Sequence, residues 1–129
     1  MIGLKNTTPE EFEYIYSRYN ITGSVNLAVP TFFFSLIMEE KIIGYVKLTF
    51  FDENYCLEEI KYDEGMERFN RFFIKCIAYK IFLKQKKKFY SKVFFDEISG
   101  VEKIKDNLYI YDVETVLEQG KICNGCDNK

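Results

Sequence analysis

The sequence predicts an α+β fold, a mixed twisted sheet with helices on both faces. Three observations carry this. Residues 32–38, 42–51 and 55–62 are apolar or alternating runs, separated by the polar turns Glu39-Glu40-Lys41 and Asp52-Glu53-Asn54, so they read as three consecutive antiparallel strands. Residues 67–86 then place Phe69, Phe72, Phe73, Cys76, Ile77 and Phe82 largely on one face of a helix about 30 Å long. Residues 90–95 form a further strand, which has to lie parallel to 55–62 because a helix crosses over between them.

The remaining elements follow in chain order. A short N-terminal strand precedes Thr8-Pro9-Glu10-Glu11, a capping box with Thr8 as N-cap, Pro9 as first helical residue and Glu11 reaching back. Phe12, Ile15, Tyr16 and Tyr19 recur at helical spacing and define a buried face. Residues 20–30 are irregular, and Pro30 stands where a strand can begin without an amide. Ser99-Gly100-Val101-Glu102 reads as a second capping box opening a short turn of helix, residues 108–111 as a last strand, and Asp112 as the cap of a final helix over 113–119 that Gly120 ends. The expected organisation is one domain, residues 1–120, with a tail, residues 121–129, carrying Cys123-Asn124-Gly125-Cys126.

Composition narrows the chemistry. A chain of 129 residues, 47% of them hydrophobic, has the size and core of one domain, and 13 Phe and 10 Tyr without Trp make the interior aromatic. A net charge of −2 supplies no global field for nucleic acid. The local basic run at residues 84–88 is either the cationic end of a helix or an anion contact. The chain has no His, which removes the commonest general base, the Ser/His and Cys/His nucleophile pairs and the commonest zinc ligand. Catalysis would fall to carboxylates, Tyr, Lys, Cys or Ser. The N-terminus lacks a basic segment followed by an apolar one, and the apolar run 27–38 is shorter than the roughly 20 residues of a membrane span. A cytoplasmic protein with reduced Cys56 and Cys76, no membrane and no nucleic acid is expected.

The segment Ile42-Ile43-Gly44-Tyr45-Val46-Lys47-Leu48, followed by Leu57-Glu58-Glu59-Ile60-Lys61-Tyr62-Asp63, resembles the core of the GNAT N-acyltransferases, whose strand carries (I/V)-x-G-(Y/F)-x-x-L. The likeness extends over residues 2–112. It implies transfer of an acyl group from acetyl-coenzyme A to an amine, on a small molecule or a protein, by direct attack. By resemblance, Glu59 or Glu58 accepts the amine proton, Tyr109 protonates the leaving thiolate, and the backbone of Ile60, Lys61 and Tyr62 pairs with the pantetheine arm. Arg68, Asn70 and Arg71 then fall at the diphosphate loop. That loop departs from the family's (R/Q)-x-x-G-x-(G/A): with Glu67 in the first position the glycines fall on Asn70 and Phe72, and with Arg68 they fall on Arg71 and Phe73.

Each of these residues also has a plainer reading. Alternation puts Glu58 and Glu59 on opposite faces, so that one can face a cleft while the other meets solvent, or pairs with Lys47 or Lys61. Tyr109, one of ten Tyr in the chain, is better suited to packing or to a sheet edge. Asp63, Glu64 and Glu67 crowd the positive end of the helix, where they cap it and repel phosphate. A catalytically inactive binding or dimerisation module that keeps the fold is therefore the alternative function, with a homodimer among its assemblies. Cys123 and Cys126 can hold zinc with Cys56 and Cys76 if the tail folds back, or in a four-thiolate site shared between two chains, or can form a reversible disulfide, or can end the chain unstructured. They are expected to add little to core stability.

Overall fold

The computed structural model describes residues 2–21, 29–96, 98–99 and 101–123, with Ile2 and residues 119–123 described by backbone alone. The elements are β1 (Ile2–Asn6), α1 (Pro9–Tyr19), β2 (Thr31–Met38), β3 (Lys41–Phe51), β4 (Asn54–Tyr62), a 3-10 turn (Glu67–Phe69), α2 (Asn70–Phe82), β5 (Lys88–Ser91), β6 (Glu102–Lys105), β7 (Leu108–Asp112) and α3 (Val113–Cys123). The strands form one sheet in the order β1-β2-β3-β4-β5-β7-β6, antiparallel throughout except for β4 and β5, which are parallel. This is the predicted mixed sheet, with the parallel pair at its middle.

α1 begins at the predicted box, where the Glu11 amide donates to Thr8 Oγ1 (3.2 Å) and the Thr8 amide to Glu11 Oε1 (3.0 Å). Ile15 is its buried residue and packs with Ile21 and Tyr45 on one face of the sheet, while Tyr16, expected on that face, is turned out. α2 and α3 cover the other face. There Leu36, Val46, Leu48 and Leu57 meet Phe73, Ile77 and Ile81 of α2 and Val113 and Val116 of α3. α2 is shorter than predicted, about 20 Å for its 13 residues, and buries Phe73, Ile74, Ile77, Ala78 and Ile81. Phe72 and Phe82 face outward, because a helix apolar on most sides leaves its buried stripe undetermined by period alone.

β5 also starts earlier and ends sooner than the expected 90–95. The Ser91 hydroxyl donates to the Val93 carbonyl (2.6 Å) and accepts from the Val93 amide (2.9 Å), a local bond pair that ends the strand. Phe95 then enters the core, its amide donating to Tyr111 Oη (2.8 Å). Pairing with β4 is consequently confined to Cys56↔Tyr90 and Leu57↔Ser91, with one more link from the Lys92 amide to the Leu57 carbonyl (2.9 Å).

Residues 102–105 are not a helical turn but strand β6, joined to β7 through Asp106 and Asn107, the latter at φ 65°. α3 is capped by Asp112, whose Oδ2 accepts from the Thr115 amide (3.0 Å), and it continues through Gly120 to Cys123 rather than stopping at the glycine.

Candidate functional site

Glu58 and Glu59 lie on one face of the sheet, contrary to simple alternation. Lys47 pairs with Glu59 but Leu48 pairs with Leu57, so Glu58 is an extra residue in β4, a β-bulge. The hydrogen bonds confirm its consequence. Glu59 accepts from the Tyr45 hydroxyl and Glu58 Oε2 from Thr49 Oγ1 (2.8 Å), and Tyr45 and Thr49 project from the same face of β3. Neither glutamate pairs with Lys47 or Lys61. Glu58 Oε1 instead meets Lys92 Nζ at 2.7 Å, just past the end of β5.

The two carboxylates differ in setting. Glu59 is tied to Tyr45, whose ring lies in the aromatic cluster under α1 and whose hydroxyl titrates above its usual range, first through burial and then through the bond to Glu59. Glu58 lines a groove of about 570 Å³ with Thr31, Lys47, Thr49, Cys56 and Lys92. Burial pushes its carboxyl up, but the bonds from Lys92 and Thr49 outweigh that and hold it below the ordinary carboxylate range. The Cys56 thiol is pushed up to about 12 by burial and then by the neighbouring Glu58 charge, so it stays protonated at neutral pH. A protonated, half-buried thiol is a poor nucleophile.

Beyond Leu57, β4 has β3 on one side and, among the described residues, no strand on the other. Ile60, Lys61 and Tyr62 thus sit along an open strand edge. Ile60 and Tyr62 pack on the α2 face, and Lys61 is exposed. The edge leads to the start of α2, where Tyr62 Oη donates to Asn70 Oδ1 (2.6 Å), Arg68 lies over the Phe69 ring (4.9 Å) and Arg71 is half-buried. Asp63 does not crowd the helix end as expected. Its Oδ1 accepts from Tyr19 Oη (2.7 Å) and meets Arg18 Nη2 (3.1 Å), which joins the end of α1 to the end of β4. Sequence reasoning missed this contact, as it missed Lys92. Asp63→Ala leaves the half-buried Tyr19 hydroxyl without its acceptor and is expected to cost about 1 to 3 kcal/mol in urea unfolding. A loss below about 0.5 kcal/mol, the range of ordinary surface changes, would show that the junction is not held here.

The structure does not bring Tyr109 to Glu58. Tyr109 continues the row Leu57, Ser91, Tyr109 across the sheet and so faces the α2 side, where its ring lies 5.1 Å from Phe94. Of the metal or thiol site expected at Cys123 and Cys126, Cys123 is described by backbone alone at the end of α3, and Cys126 lies outside the described residues. Among the described residues no three His, Cys, Asp or Glu side chains are grouped to hold a metal ion, and Cys56 and Cys76 are free thiols, one lining the Glu58 groove and the other on α2. Among them, too, no helix is long and apolar enough to cross a membrane.

No protein-family model matches the chain, and no curated protein matches it in sequence. Solved structures do match in three dimensions. An N-acetyltransferase from Staphylococcus aureus Mu50 superposes with a TM-score of 0.61 at 18% identity, covering 88% of this chain and 99% of that one. A structure assigned as a GNAT-family acetyltransferase from Desulfovibrio desulfuricans gives 0.61 at 10% identity over the same shares. An acetyltransferase assignment from Staphylococcus epidermidis gives 0.60 at 15%, covering 87% and 99%. The mixed seven-stranded sheet, parallel only between β4 and β5 and covered by helices on both faces, is therefore the GNAT acetyltransferase fold.

Proposed function

We propose that the protein is an N-acyltransferase that moves an acyl group from acetyl-coenzyme A to an amine held in the Glu58 groove. The carrying observation is the departure of β5 from β4 after Leu57, which leaves residues 58–62 with an open edge beside that groove. A strand edge of this kind suits an extended, amide-bearing chain such as the pantetheine arm. In this reading the acceptor nitrogen attacks the thioester carbonyl, the C–N bond forms and the C–S bond breaks. The nitrogen's proton passes to Glu58, and coenzyme A leaves as thiolate. A thiol titrates near 8.5, so that departure needs little acid help and Tyr109 has no required part. The protonated Cys56 supports direct transfer over an acyl-cysteine.

Glu58 rather than Glu59 is the better base, since Glu58 lines the groove whereas Glu59 is held by Tyr45 under α1. Arg68, Asn70 and Arg71 would meet the diphosphate at the start of α2. Removal of the Asp63 charge to Arg18 favours this, and the lack of glycines weakens it. The reading places the protein in the cytoplasm as one domain over residues 1–120, and zinc at the C-x-x-C has no part in it.

Calorimetry and melting with acetyl-coenzyme A test the proposal. Saturable binding weaker than about 1 μM is expected, and a ligand at a hundred times its dissociation constant should add about 2.7 kcal/mol of stability. No binding at millimolar concentration would overturn it and leave an inactive module on this fold.

A further inference from the structure

A second groove, of about 560 Å³, lies between β2 and the C-terminal end of α2. Phe34 and Tyr55, which line it, pack on the α2 side of the sheet, so it opens on the face opposite the Glu58 groove. The lining is aromatic and aliphatic, chiefly Phe32, Phe34, Tyr55 and Ile81, and its charged residues are Lys80 and Lys84, with no carboxylate. The Lys80 ammonium lies 5.4 Å from the centre of the Phe34 ring, already drawn over the apolar surface. Structure also divides the basic run that the sequence left open. Lys86 is committed to Glu53 (3.7 Å) and to the Phe50 ring (5.8 Å), whereas among the described residues no carboxylate pairs with Lys80 or Lys84.

We propose that this groove binds an amphiphilic carboxylate, an anion with an apolar body. Its headgroup lies between Lys80 and Lys84, and its hydrocarbon or ring on Phe32, Phe34 and Tyr55. Charge complementarity selects this ligand. In a chain of net charge −2, two cations without acidic partners among the described residues stand over an apolar floor that would otherwise stay in contact with water. The same charges disfavour a second copy seated by two-fold symmetry on this face, which would bring lysine against lysine. A neutral hydrocarbon would leave both ammonium groups unanswered.

The test is calorimetric titration of the full chain with dodecanoate below its micellar concentration. Dodecyltrimethylammonium, of the same chain length and opposite charge, is run beside it, as is acetate. One-to-one binding of dodecanoate is expected, with neither control binding in the same range. Lys80→Glu with Lys84→Glu should weaken it by at least about tenfold, a half-buried and an exposed charge being reversed rather than core removed. Phe32→Ala, at a side chain 42% exposed, should weaken it several-fold while leaving the melting temperature unchanged. Absent dodecanoate binding, equal binding of the cationic amphiphile, or affinity indifferent to the charge reversal would overturn the proposal. Binding to anionic vesicles without binding of free dodecanoate would overturn it in favour of a membrane surface. None of these readouts involves acyl transfer, so the result is independent of the function proposed above.

Discussion

Gly44→Ala is expected to destabilise the protein by about 3 kcal/mol, roughly 10 °C in melting temperature for a domain of this size. A methyl group at this position would stand 2.3 Å from the Lys61 carbonyl oxygen and 2.8 Å from both Cα and Cβ of Tyr62. The atoms it meets are mostly backbone of the paired strand, held by the β3–β4 register Gly44↔Tyr62, and cannot rotate away as a side-chain tip would. Loss of glycine's freedom in the unfolded chain would by itself stabilise by about 0.4 to 1 kcal/mol, which the clash exceeds. Gly3→Ala is the control. It lies in β1, meets nothing within 4 Å, and should be neutral or slightly stabilising. A Gly44→Ala protein that melts within a degree or two of wild type would show that β3 and β4 can part without loss. Because the strand displaced is the one bearing Ile60, Lys61 and Tyr62, acetyl-coenzyme A binding should weaken as well.

Glu58→Gln is expected to lower kcat/KM by about a hundredfold or more, the usual contribution of a positioned general base, with the fold retained. Glutamine keeps the shape but cannot take a proton, and it leaves Lys92 without its counter-charge. The pH profile separates this role from a structural one. Bonds from Lys92 and Thr49 hold the Glu58 carboxyl below its ordinary range despite burial, so it is ionised throughout the neutral region. The wild-type rate should therefore rise with pH only as the acceptor amine loses its proton. No inflection from Glu58 should appear between about pH 5 and 7. Glu59→Gln, at the carboxylate bound to Tyr45, should lower stability more than turnover. Reversal of these two outcomes would move the base to Glu59, and a wild-type inflection near pH 6 lost in Glu58→Gln would mean that the ion pair with Lys92 is broken in the working enzyme.

The sequence was most legible where a periodic pattern met a buried face. The three-strand meander, the capping box of α1 and the parallel placement of β4 and β5 all follow from apolar spacing and connection length. Strand β6 escaped because its residues are exposed, leaving no apolar alternation to find. Its available signal was the Asp106-Asn107 pair, a polar two-residue connection suited to a hairpin. The site was half legible. Both glutamates could be named from the strand they occupy, but their common orientation depends on one residue of bulge, which alternation takes to be absent. Lys92, Thr49 and Arg18 were not legible at all. They reach Glu58 and Asp63 through strand register and helix docking, and no local pattern links Thr49 or Lys92 to Glu58, or Arg18 to Asp63.

The exposed β6 also forms one outer margin of the sheet. A sheet margin with free backbone groups templates the addition of foreign strands, the first step toward aggregation. Here that margin is short and carries Glu102, Lys103 and Lys105, all exposed, so an incoming strand would have to strip water from three charges. Growth at the β6 margin is thereby discouraged. The open edge at residues 58–62 lies within the sheet instead, on the side of β4 from which β5 departs. The charged outer strand and the open edge at residues 58–62 thus lie at different places in one sheet.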